Sequence, residues 1–570
     1  MRINDCTKLI NDQHCSSCLK TSFEARVALM ENQMMNSVGL GIPAGTRRSD
    51  LQWERHKELK QAVQQMSETV TETVQRLALI EDIQRLGVAH HFEQQIDNAL
   101  SSLHLKKAEL LSKNDLQATS LYFRLLRQHG CYVSPDIFIQ FKDEAGGFKA
   151  SLCEDVDGLL GLYEASYLGI KGETILDEAR DFAASNLKKL MGHVEADIAG
   201  RISHALDLPL HWRMVRVEAR RYIDVYEENM KGEVNDVLLE FAKLDFNMVQ
   251  AIHQNEIKNL SVWWNSIDLA KKLGFTRNRL MESFLLSVGI IFEPQFSECR
   301  NAATKDIMFI TIIDDIYDVY GSLDELKLFT NAIDRWDLGA IDQLPDYMKL
   351  CYLALYNTTN ELAYITLKET GRNLLDYLKK LWATQCNTYL VEAQWFYKDY
   401  TPTLEEYLNN ASVSIGCSLV LAHAYAFILQ QLTKEDIDDR DKYLKLIALT
   451  SLIFRLFDDL STSEAELRRG DVSKSIQCYM NEANVSEEIA REHIRDMISD
   501  AWKELNEESL KSSSLRRSFV NAIINGARAG AATYHHGDGF GHPDHEVKGQ
   551  ALSLFFEPLA LKGPNNMFQE

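Results

Sequence analysis

The chain has 570 residues, which is more than one ordinary core accommodates, so we expect two or more domains. Its composition, 45% hydrophobic and 25% charged, is typical of a globular protein and excludes a disordered chain. The net charge of −22 argues against nucleic acid or an anionic membrane as the main partner. An anionic ligand would therefore need local cations or metal ions in order to bind.

The sequence also disfavours a membrane-spanning protein and a protein stabilised by disulfides or zinc. No apolar run reaches the roughly 18 residues that a spanning helix needs, so we expect no stable membrane insertion. The ten cysteines are scattered, and the CxxC at Cys15 and Cys18 lacks a second pair. Ordinary unpaired thiols in a reducing compartment are therefore predicted, rather than a disulfide framework or a zinc site.

Residues 1–45 lack strong periodicity and are predicted to be a disordered N-terminal segment that is cleaved as a plastid transit peptide. Transit peptides are rich in Ser and Arg and poor in acids. Four acids, Asp5, Asp12, Glu24 and Glu31, weaken that interpretation. A cytoplasmic location is the alternative.

The rest of the chain reads as helix. Apolar residues recur at spacings of three and four, and only nine prolines interrupt the sequence, as long helices require. We find no sustained period-two run with hairpin turns, so an all-α fold is predicted. We place one helical domain at 46–230 and a second at 231–570. Asp155 and Asp157, which precede and follow Val156, are interpreted as helix-capping residues rather than catalytic acids.

The segment ITIIDDIYDVYGSLDEL, residues 310–326, carries three aspartates within an apolar helical run. Asp314 and Asp318 are four residues apart, which places both carboxylates on one side of a helix. Burying unpaired carboxylates costs several kcal/mol or more, so an Arg/Lys network or a divalent cation such as Mg²⁺ should compensate them. A helix whose acids face solvent is the alternative for this segment alone.

A second acidic face follows about 140 residues later. Asp458, Thr462 and Glu466 have i, i+4, i+8 spacing, so three oxygen donors line two turns of one helix. Two such faces predict several Mg²⁺ ions that bridge to a diphosphate and stabilise it as a leaving group. Simple capping by Ser461, Thr462 and Ser463 is the alternative.

Candidate cations for the anion lie near both motifs. Arg455 precedes Asp458 by three residues, Arg277 and Arg279 precede the first motif, and Lys474 follows the second. Arginine binds diphosphate oxygens through its bidentate fork. Each of these residues alone is weak evidence, because a single Arg usually lies at the surface.

Aromatic residues near the motifs indicate a pocket that stabilises a carbocation and excludes water. For any one ring, ordinary core packing is the alternative. The C-terminal stretch YHHGDGFGHPDHE, residues 534–546, concentrates four histidines. It has the composition of a transition-metal loop but lacks a recognisable ligand spacing, so we interpret it as a lid over the pocket.

From about residue 47 to 562 the chain resembles plant terpene synthases of the class I, ionisation-initiated type. The family's aspartate-rich motif matches DDIYD at Asp314, Asp315 and Asp318, and its second metal motif matches at Asp458, Thr462 and Glu466. Its upstream Arg-x-Arg matches Arg277 and Arg279. The segments LSVWW, EPQFSECR, RGDVSKSIQCYM and YHHGDG are also similar to those of the family.

The resemblance implies a C-terminal catalytic α-bundle and an N-terminal α-barrel domain without its own active site. It implies a monomer that binds a prenyl diphosphate with three Mg²⁺ or Mn²⁺ ions, through the metal ligands Asp314, Asp318, Asp458, Thr462 and Glu466. Catalytic roles would fall on Asp314, Asp315, Asp318, Arg277 and Arg455. Substrate would be bound by Arg277, Asp314, Asp318, Arg455, Asp458 and Lys474. Tyr534 and Asp538 would lie near the closing lid.

Departures from the family pattern concern the product. Cyclising relatives have a tryptophan eight residues after an arginine pair, whereas here Trp53 follows Arg47 and Arg48 after only four. Leu286 stands where the family often has a pocket tryptophan, and losing that ring weakens stabilisation of a cyclic cation. We therefore predict that geranyl diphosphate, with farnesyl diphosphate as a second substrate, is ionised to an acyclic product. Linalool or nerolidol is the first candidate, with ocimene or myrcene as olefin alternatives and limonene as the cyclic one.

Phe454 would narrow the pocket, although Ile307 is smaller than the phenylalanine of hemiterpene-forming relatives. Two other classes remain. A chain-elongating prenyltransferase would need a second DDxxD, where this chain has DDLST. A non-catalytic helical scaffold would release no diphosphate.

Overall fold

The computed structural model describes residues 44–105, 114–228, 235–428, 440–469, 472–512 and 517–561. Throughout these ranges the regular structure is helical, and the only extended pairing is an isolated bridge between Lys142 and Phe148. The all-α prediction is confirmed. The interpretation of residues 1–43 and the predicted boundary at 230 fall outside the described residues.

The first half of the chain contains eight described α-helices, and short 3₁₀ segments lie in several of the described connections between them. The helices are α1 (Ala44–Thr69), α2 (Thr73–Arg85), α3 (Glu93–Leu105), α4 (Leu116–Gln128), α5 (Val156–Ser166), α6 (Thr174–Leu190), α7 (Ala196–Asp207) and α8 (Val215–Glu228).

The second half begins with the longest described helix and continues to the C-terminal region. Its helices are α9 (Asp236–Ile267), α10 (Leu269–Lys272), α11 (Leu280–Ile290), α12 (Ser297–Asp315), α13 (Leu323–Arg335), α14 (Asp346–Thr370), α15 (Leu375–Tyr397), α16 (Leu404–Ser414), α17 (Cys417–Ile428), α18 (Arg440–Arg469), α19 (Ser475–Ala483), α20 (Glu487–Lys511), α21 (Arg517–Tyr534) and α22 (His545–Phe555).

Local sequence explains many helix ends. Asp155 caps α5, since its carboxylate accepts a hydrogen bond from the Gly158 amide at 2.9 Å, and the neighbouring Asp157 pairs with Arg201 at the surface. These contacts agree with the interpretation of Asp155 and Asp157 as structural residues at a helix end rather than catalytic acids. Gly371 ends α14 with a φ of 74°, a left-handed conformation that glycine adopts at no steric cost.

The two halves share a continuous apolar core. Helix α1 packs along α9, where Arg55 forms a bidentate contact with Glu240 at 2.8 and 2.7 Å. Farther along the chain, Trp212 stacks on Trp502 with ring centroids 5.3 Å apart. The first half therefore supports the helices of the second half directly.

The C-terminal helix returns to the same support. The side-chain amide of Gln250 on α9 donates to the carbonyl oxygens of Leu554 and Glu557 at 3.0 and 3.2 Å. Helix α22 therefore stays fixed against α9, and the loop from 535 to 544 is anchored at both ends.

No single helix among the described residues is long and apolar enough to cross a membrane. One bent pair, α16 with α17, satisfies that test by length and composition alone.

Candidate active site

The aspartate-rich segment lies where α12 ends. The α-helix stops at Asp315, and Ile316–Tyr320 forms a π-turn that a hydrogen bond from the Gly321 amide to the Ile316 carbonyl closes at 2.8 Å. The predicted helix therefore continues past Asp315 as a π-turn and not as an α-helix. Asp314 and Asp315 are partly buried and Asp318 is exposed. Single π-turns inside helical segments are frequent at functional sites.

A buried tyrosine on α15 lies beside these acids. The pKa of Tyr389 is well above its ordinary value, first because the ring is buried and then because of the nearby charges of Asp314 and Asp318. The phenol therefore stays protonated. The charges of Asp314, Glu392 and Asp318 all raise the pKa of this hydroxyl, so the region is electronegative and favours a cation.

The second acidic face lies on α18. Asp458 and Thr462 are both buried, and the Thr462 hydroxyl donates to the Asp458 carbonyl at 3.0 Å. Their i, i+4 spacing places them on one face, as the sequence predicts. Glu466 lies in α18 as well, but its side chain is outside the described part of the chain.

Arg455 is held at this face by three contacts. Its Nη1 donates to Asp458 at 2.8 Å, its Nε to the Ala411 carbonyl at 3.0 Å, and its Nη2 to the Ser414 hydroxyl at 3.3 Å. The side chain is buried. A buried guanidinium with charged and neutral partners has a fixed position and little freedom to swing away.

Helix α15 connects the two acidic regions. Glu392 follows Tyr389 by three residues and is buried. Its Oε1 accepts hydrogen bonds from Ser414 at 2.7 Å and from Asn410 at 2.8 Å, and Ser414 in turn contacts Arg455. Side chains one turn apart on α15 therefore reach the end of α12 and the Arg455 region of α18.

Asp459 is fully buried and joins α18 to the start of α19. Its carboxylate accepts from the Tyr407 hydroxyl at 2.9 Å and from the Ser475 amide at 3.2 Å. Lys474, the buried residue before α19, is therefore brought next to α18. This agrees with its predicted position near the second motif.

The two arginines of the Arg-x-Arg have separate contacts. Arg277 pairs with Asp315 at 2.9 Å, and its side chain is 37% exposed. Arg279 donates to the carbonyl of Gly541 in the C-terminal loop and pairs with Glu282 at 3.3 Å. Within that loop Asp538 accepts from the Gly541 amide at 2.6 Å. One arginine therefore contacts the acids and the other contacts the loop.

Several residues that are expected to determine the product lie in one apolar cluster. Leu286, Ile307 and Tyr534 are buried within it, and Phe454 packs against it. The rings of Phe454 and Tyr534 meet edge to face at 5.7 Å, and a Cβ on Gly530 would lie 2.8 Å from the Phe454 ring. These two aromatic rings are therefore close-packed neighbours on α18 and α21.

Other aromatic residues near the two motifs pack in the core. Tyr425 contacts Tyr443 and Phe519, while Tyr317 donates to or accepts from Thr330 at 2.7 Å inside the bundle. Packing, the alternative stated for any single ring, accounts for these positions.

Comparison with known proteins places the arrangement in a family. Residues 265–504 match the metal binding domain of the terpene synthase family, and residues 30–206 match the terpene synthase N-terminal domain. A sesquiterpene synthase of Cananga odorata is 65% identical over 512 residues, 90% of this chain and 93% of that protein. The (−)-α-terpineol synthase of Vitis vinifera is 50% identical over 508 residues, 89% and 86% of the two chains. This chain belongs to the terpene synthase family.

A solved structure agrees with that assignment. Isoprene synthase from grey poplar leaves, in complex with three Mg²⁺ ions and dimethylallyl-S-thiolodiphosphate, has a TM-score of 0.85 and 46% identity. The match covers 90% of this terpene synthase and 98% of that chain. Other relatives include a myrcene synthase of Quercus ilex and a linalool synthase of Coffea arabica, 48% and 49% identical and both named chloroplastic. The protein is therefore a metal-dependent enzyme that acts on a prenyl diphosphate, and the scaffold alternative is excluded.

The described donors of this terpene synthase fit a hard divalent cation. Mg²⁺ prefers oxygen ligands, and Asp314, Asp318, Asp458 and Thr462 offer only oxygen. The hydroxyl hydrogen of Thr462 points to the Asp458 carbonyl, so the lone pairs of Oγ1 are directed elsewhere and are suited to a cation. The role of each residue stays a prediction.

Sequence reasoning missed the supporting residues on α15 and α16. Gln385, Tyr389 and Glu392 recur at spacings of four and three and are all buried. A polar stripe on a buried helix is the one signal that points to them, because buried polar groups require specific partners. Tyr407, which contacts Asp459, carries no such signal.

Proposed function

We propose that this terpene synthase ionises geranyl diphosphate, and also farnesyl diphosphate, and releases diphosphate and an acyclic terpene. Linalool and nerolidol are the proposed products. The observation that carries this proposal is the arrangement of the two acidic faces and Arg455 around neighbouring turns of α15. A prenyl diphosphate suits both regions of the site. Its diphosphate binds at the acidic faces through metal ions, and its hydrocarbon chain packs in the apolar cluster.

Three Mg²⁺ or Mn²⁺ ions are proposed to bind at Asp314, Asp318, Asp458, Thr462 and Glu466. Once bound, these ions neutralise the diphosphate and stabilise it as a leaving group. The isoprene synthase complex holds three Mg²⁺ ions, which supports this number.

The chain's own cations are proposed to hold the departing diphosphate. Arg455 is fixed by Ala411 and Ser414, so its guanidinium is oriented before substrate arrives. Arg277 is partly exposed beside Asp315 and is positioned to contact an anion at the end of α12. Lys474 adds a third positive charge beside α18.

The apolar cluster favours a short-lived, acyclic cation. Leu286 supplies no aromatic face at the position where the family often has a tryptophan, and Phe454 and Tyr534 meet edge to face. Trp53 is 62% exposed and its ring contacts His56, so it lies outside the cluster. Without a ring at position 286 a cyclic cation is less stabilised, so water capture or proton loss ends the reaction early.

The relatives bear on substrate and product. The sesquiterpene synthase at 65% identity supports farnesyl diphosphate as a substrate. The α-terpineol synthase supports a cyclic monoterpene, of which limonene is an example, as the second candidate product. Ocimene or myrcene would arise from the same acyclic cation by deprotonation.

The catalytic unit is proposed to begin near residue 231, with the helices before it forming a non-catalytic support for a monomeric enzyme. The chloroplastic names of several relatives support a plastid location.

The experiment that tests the product uses the purified protein, Mg²⁺, and geranyl and farnesyl diphosphate offered separately. Volatile products are identified by chiral gas chromatography, with Asp314→Ala as the inactive control. An Mg²⁺-dependent acyclic alcohol is expected from each substrate. A cyclic monoterpene as the main product would overturn the acyclic assignment and leave the enzyme class intact.

A further inference from the structure

Two groups of described side chains outside the proposed active site bring imidazoles and a carboxylate together. One consists of His56, His91 and Asp245, between α1 and α9. The other consists of Asp207, His535 and His536. Solvent access distinguishes the two groups, since His56 and Asp245 are buried whereas Asp207 and His536 are exposed.

Asp207 is the last residue of α7, and the two histidines directly follow α21. His536 Nε2 lies 3.1 Å from Asp207 Oδ2, and His535 Nε2 lies 3.5 Å from Oδ1 of the same carboxylate. The two imidazole rings are neighbours, with centroids 4.6 Å apart. Both ring nitrogens therefore face one carboxylate that comes from the first half of the chain.

These distances suit a tetrahedral metal ion. With Zn–N and Zn–O bonds of about 2.0–2.1 Å, two ligand atoms of a tetrahedral site are about 3.3–3.5 Å apart. His535 Nε2, 3.5 Å from Asp207 Oδ1, has that separation, and His536 Nε2, 3.1 Å from Oδ2, is slightly closer. His536 Nε2 is also within hydrogen-bond distance of Asp207. In the other group, His91 Nε2 and His56 Nε2 lie 2.6 and 3.0 Å from one oxygen of Asp245, and His56 and Asp245 are buried, so that group is less accessible to an ion.

The group of Asp207, His535 and His536 is also accessible and offers suitable ligand atoms. The side chains of Asp207 and His536 are 43% and 46% exposed, so an ion can enter from solvent. Imidazole nitrogen and carboxylate oxygen are both common ligands of Zn²⁺.

We propose that Asp207, His535 and His536 bind a transition-metal cation of the Zn²⁺ type, at a site separate from that of the Mg²⁺ ions. Three protein ligands leave a fourth position for water. The loop that starts at His535 continues to Asp538 and to Gly541, which Arg279 contacts. A bound ion ties the start of this loop to α7.

Metal content tests the site directly. Untagged full-length protein is saturated with Mg²⁺, equilibrated with Zn²⁺ and analysed by mass spectrometry, and Co²⁺ serves as a visible-absorption probe of tetrahedral coordination. Wild type is expected to retain one Zn²⁺ per chain more than His536→Asn or Asp207→Asn. Affinity at this site should fall at least about tenfold in both variants.

His545→Asn is the matched control, because it removes an exposed histidine from the start of α22. It is expected to bind as much Zn²⁺ as wild type. Equal Zn²⁺ content in wild type, His536→Asn and Asp207→Asn would overturn the proposal.

A consequence for turnover rests on the proposed function. Zn²⁺ added in the presence of saturating Mg²⁺ is expected to slow wild type more than His536→Asn, because the bound ion restrains the loop. The metal-content result stands whether or not the protein turns over geranyl diphosphate, so failure of either proposal is distinguishable from failure of the other.

Discussion

The guanidinium of Arg455, one of the proposed diphosphate-binding residues, is held by contacts at all three of its nitrogens. Its three nitrogens contact a carbonyl, a hydroxyl and a carboxylate, all within 3.3 Å. Lysine offers a single charged atom and cannot make these contacts in three directions. The guanidinium geometry, and not the charge alone, should therefore matter for catalysis.

Replacing Arg455 by Lys tests that statement. We expect kcat to fall by about 10²–10³-fold, the usual loss when one preorganised donor is removed from a developing negative charge. Steady-state kinetics with geranyl diphosphate measure the change. Arg495→Lys, on the exposed side of α20, is the matched control and should retain wild-type kcat. An unchanged kcat in Arg455→Lys would show that Arg455 does not contact the diphosphate.

For individual side chains, the sequence predicts which residues lie close together on one helix. It predicts few of the contacts between residues on different helices. The proximity of Arg455 to Asp458 follows from their separation by three residues. The pairing of Arg277 with Asp315 spans 38 residues and depends on how α11 and α12 pack, which no local pattern encodes. The contacts of Tyr407 with Asp459 were missed for the same reason.

The π-turn at Ile316–Tyr320 determines where the last aspartate of the first motif points. Gly321 follows it, and a Cβ there would lie 2.5 Å from Leu326 Cδ2 and 3.0 Å from the Ile316 carbonyl oxygen. Any larger residue must therefore displace the turn. Periodicity could not predict this element, because an α-helix and a single π-turn differ by one residue within an otherwise regular apolar pattern.

Gly321→Ala is therefore expected to shift Asp318 and weaken metal binding. The Mg²⁺ concentration for half-maximal activity should rise about 10–100-fold, as for other changes that reorient metal ligands. Gly274→Ala is the control, since a Cβ at this exposed glycine meets no atom within 4 Å. If both variants show the wild-type Mg²⁺ dependence, the π-turn does not position a metal ligand.

The two halves of the molecule meet at a buried histidine. His211 donates from Nε2 to Asn506 Oδ1 at 2.8 Å, and Arg528 approaches its Nδ1 at 3.4 Å. This arrangement requires a neutral ring. Burial first, and then the charge of Arg528, lower the pKa of His211 to about 3.

The sign of the resulting pH dependence follows directly. The unfolded chain takes up a proton below the ordinary pKa of 6.5, whereas the folded chain does not until about 3, so stability is lost as the pH falls. Between about pH 7.5 and pH 5.5 the His211 contribution to the free energy of unfolding should fall by about 1.4 kcal/mol.

Urea unfolding at the two pH values measures this change. His211→Gln should lose about 1.4 kcal/mol less than wild type on acidification, because glutamine does not titrate. His193→Gln, at an exposed position of the first half, should behave as wild type does. Identical acid sensitivity of wild type and His211→Gln would contradict the buried, neutral histidine.

For the whole molecule, the fold class follows from helical periodicity, and the family follows from a few motifs. The contact of His211 with Asn506 joins residues 295 apart and arises from packing between the halves. Hydrophobic patterns identify which face of each helix is buried but not which helix covers it. The interface, and the meeting of Asp207 with His535 and His536, therefore required the structure.

The release of diphosphate from geranyl diphosphate is the most direct test of the proposed active site. Wild type is compared with Asp314→Asn and with Asp324→Asn, whose carboxylate lies ten residues farther along the chain and is 92% exposed. We predict Mg²⁺-dependent release by wild type and by Asp324→Asn, and a rate at least about 10²–10³-fold lower in Asp314→Asn. Release by Asp314→Asn at the wild-type rate, or release that persists after Mg²⁺ is removed, would contradict the account.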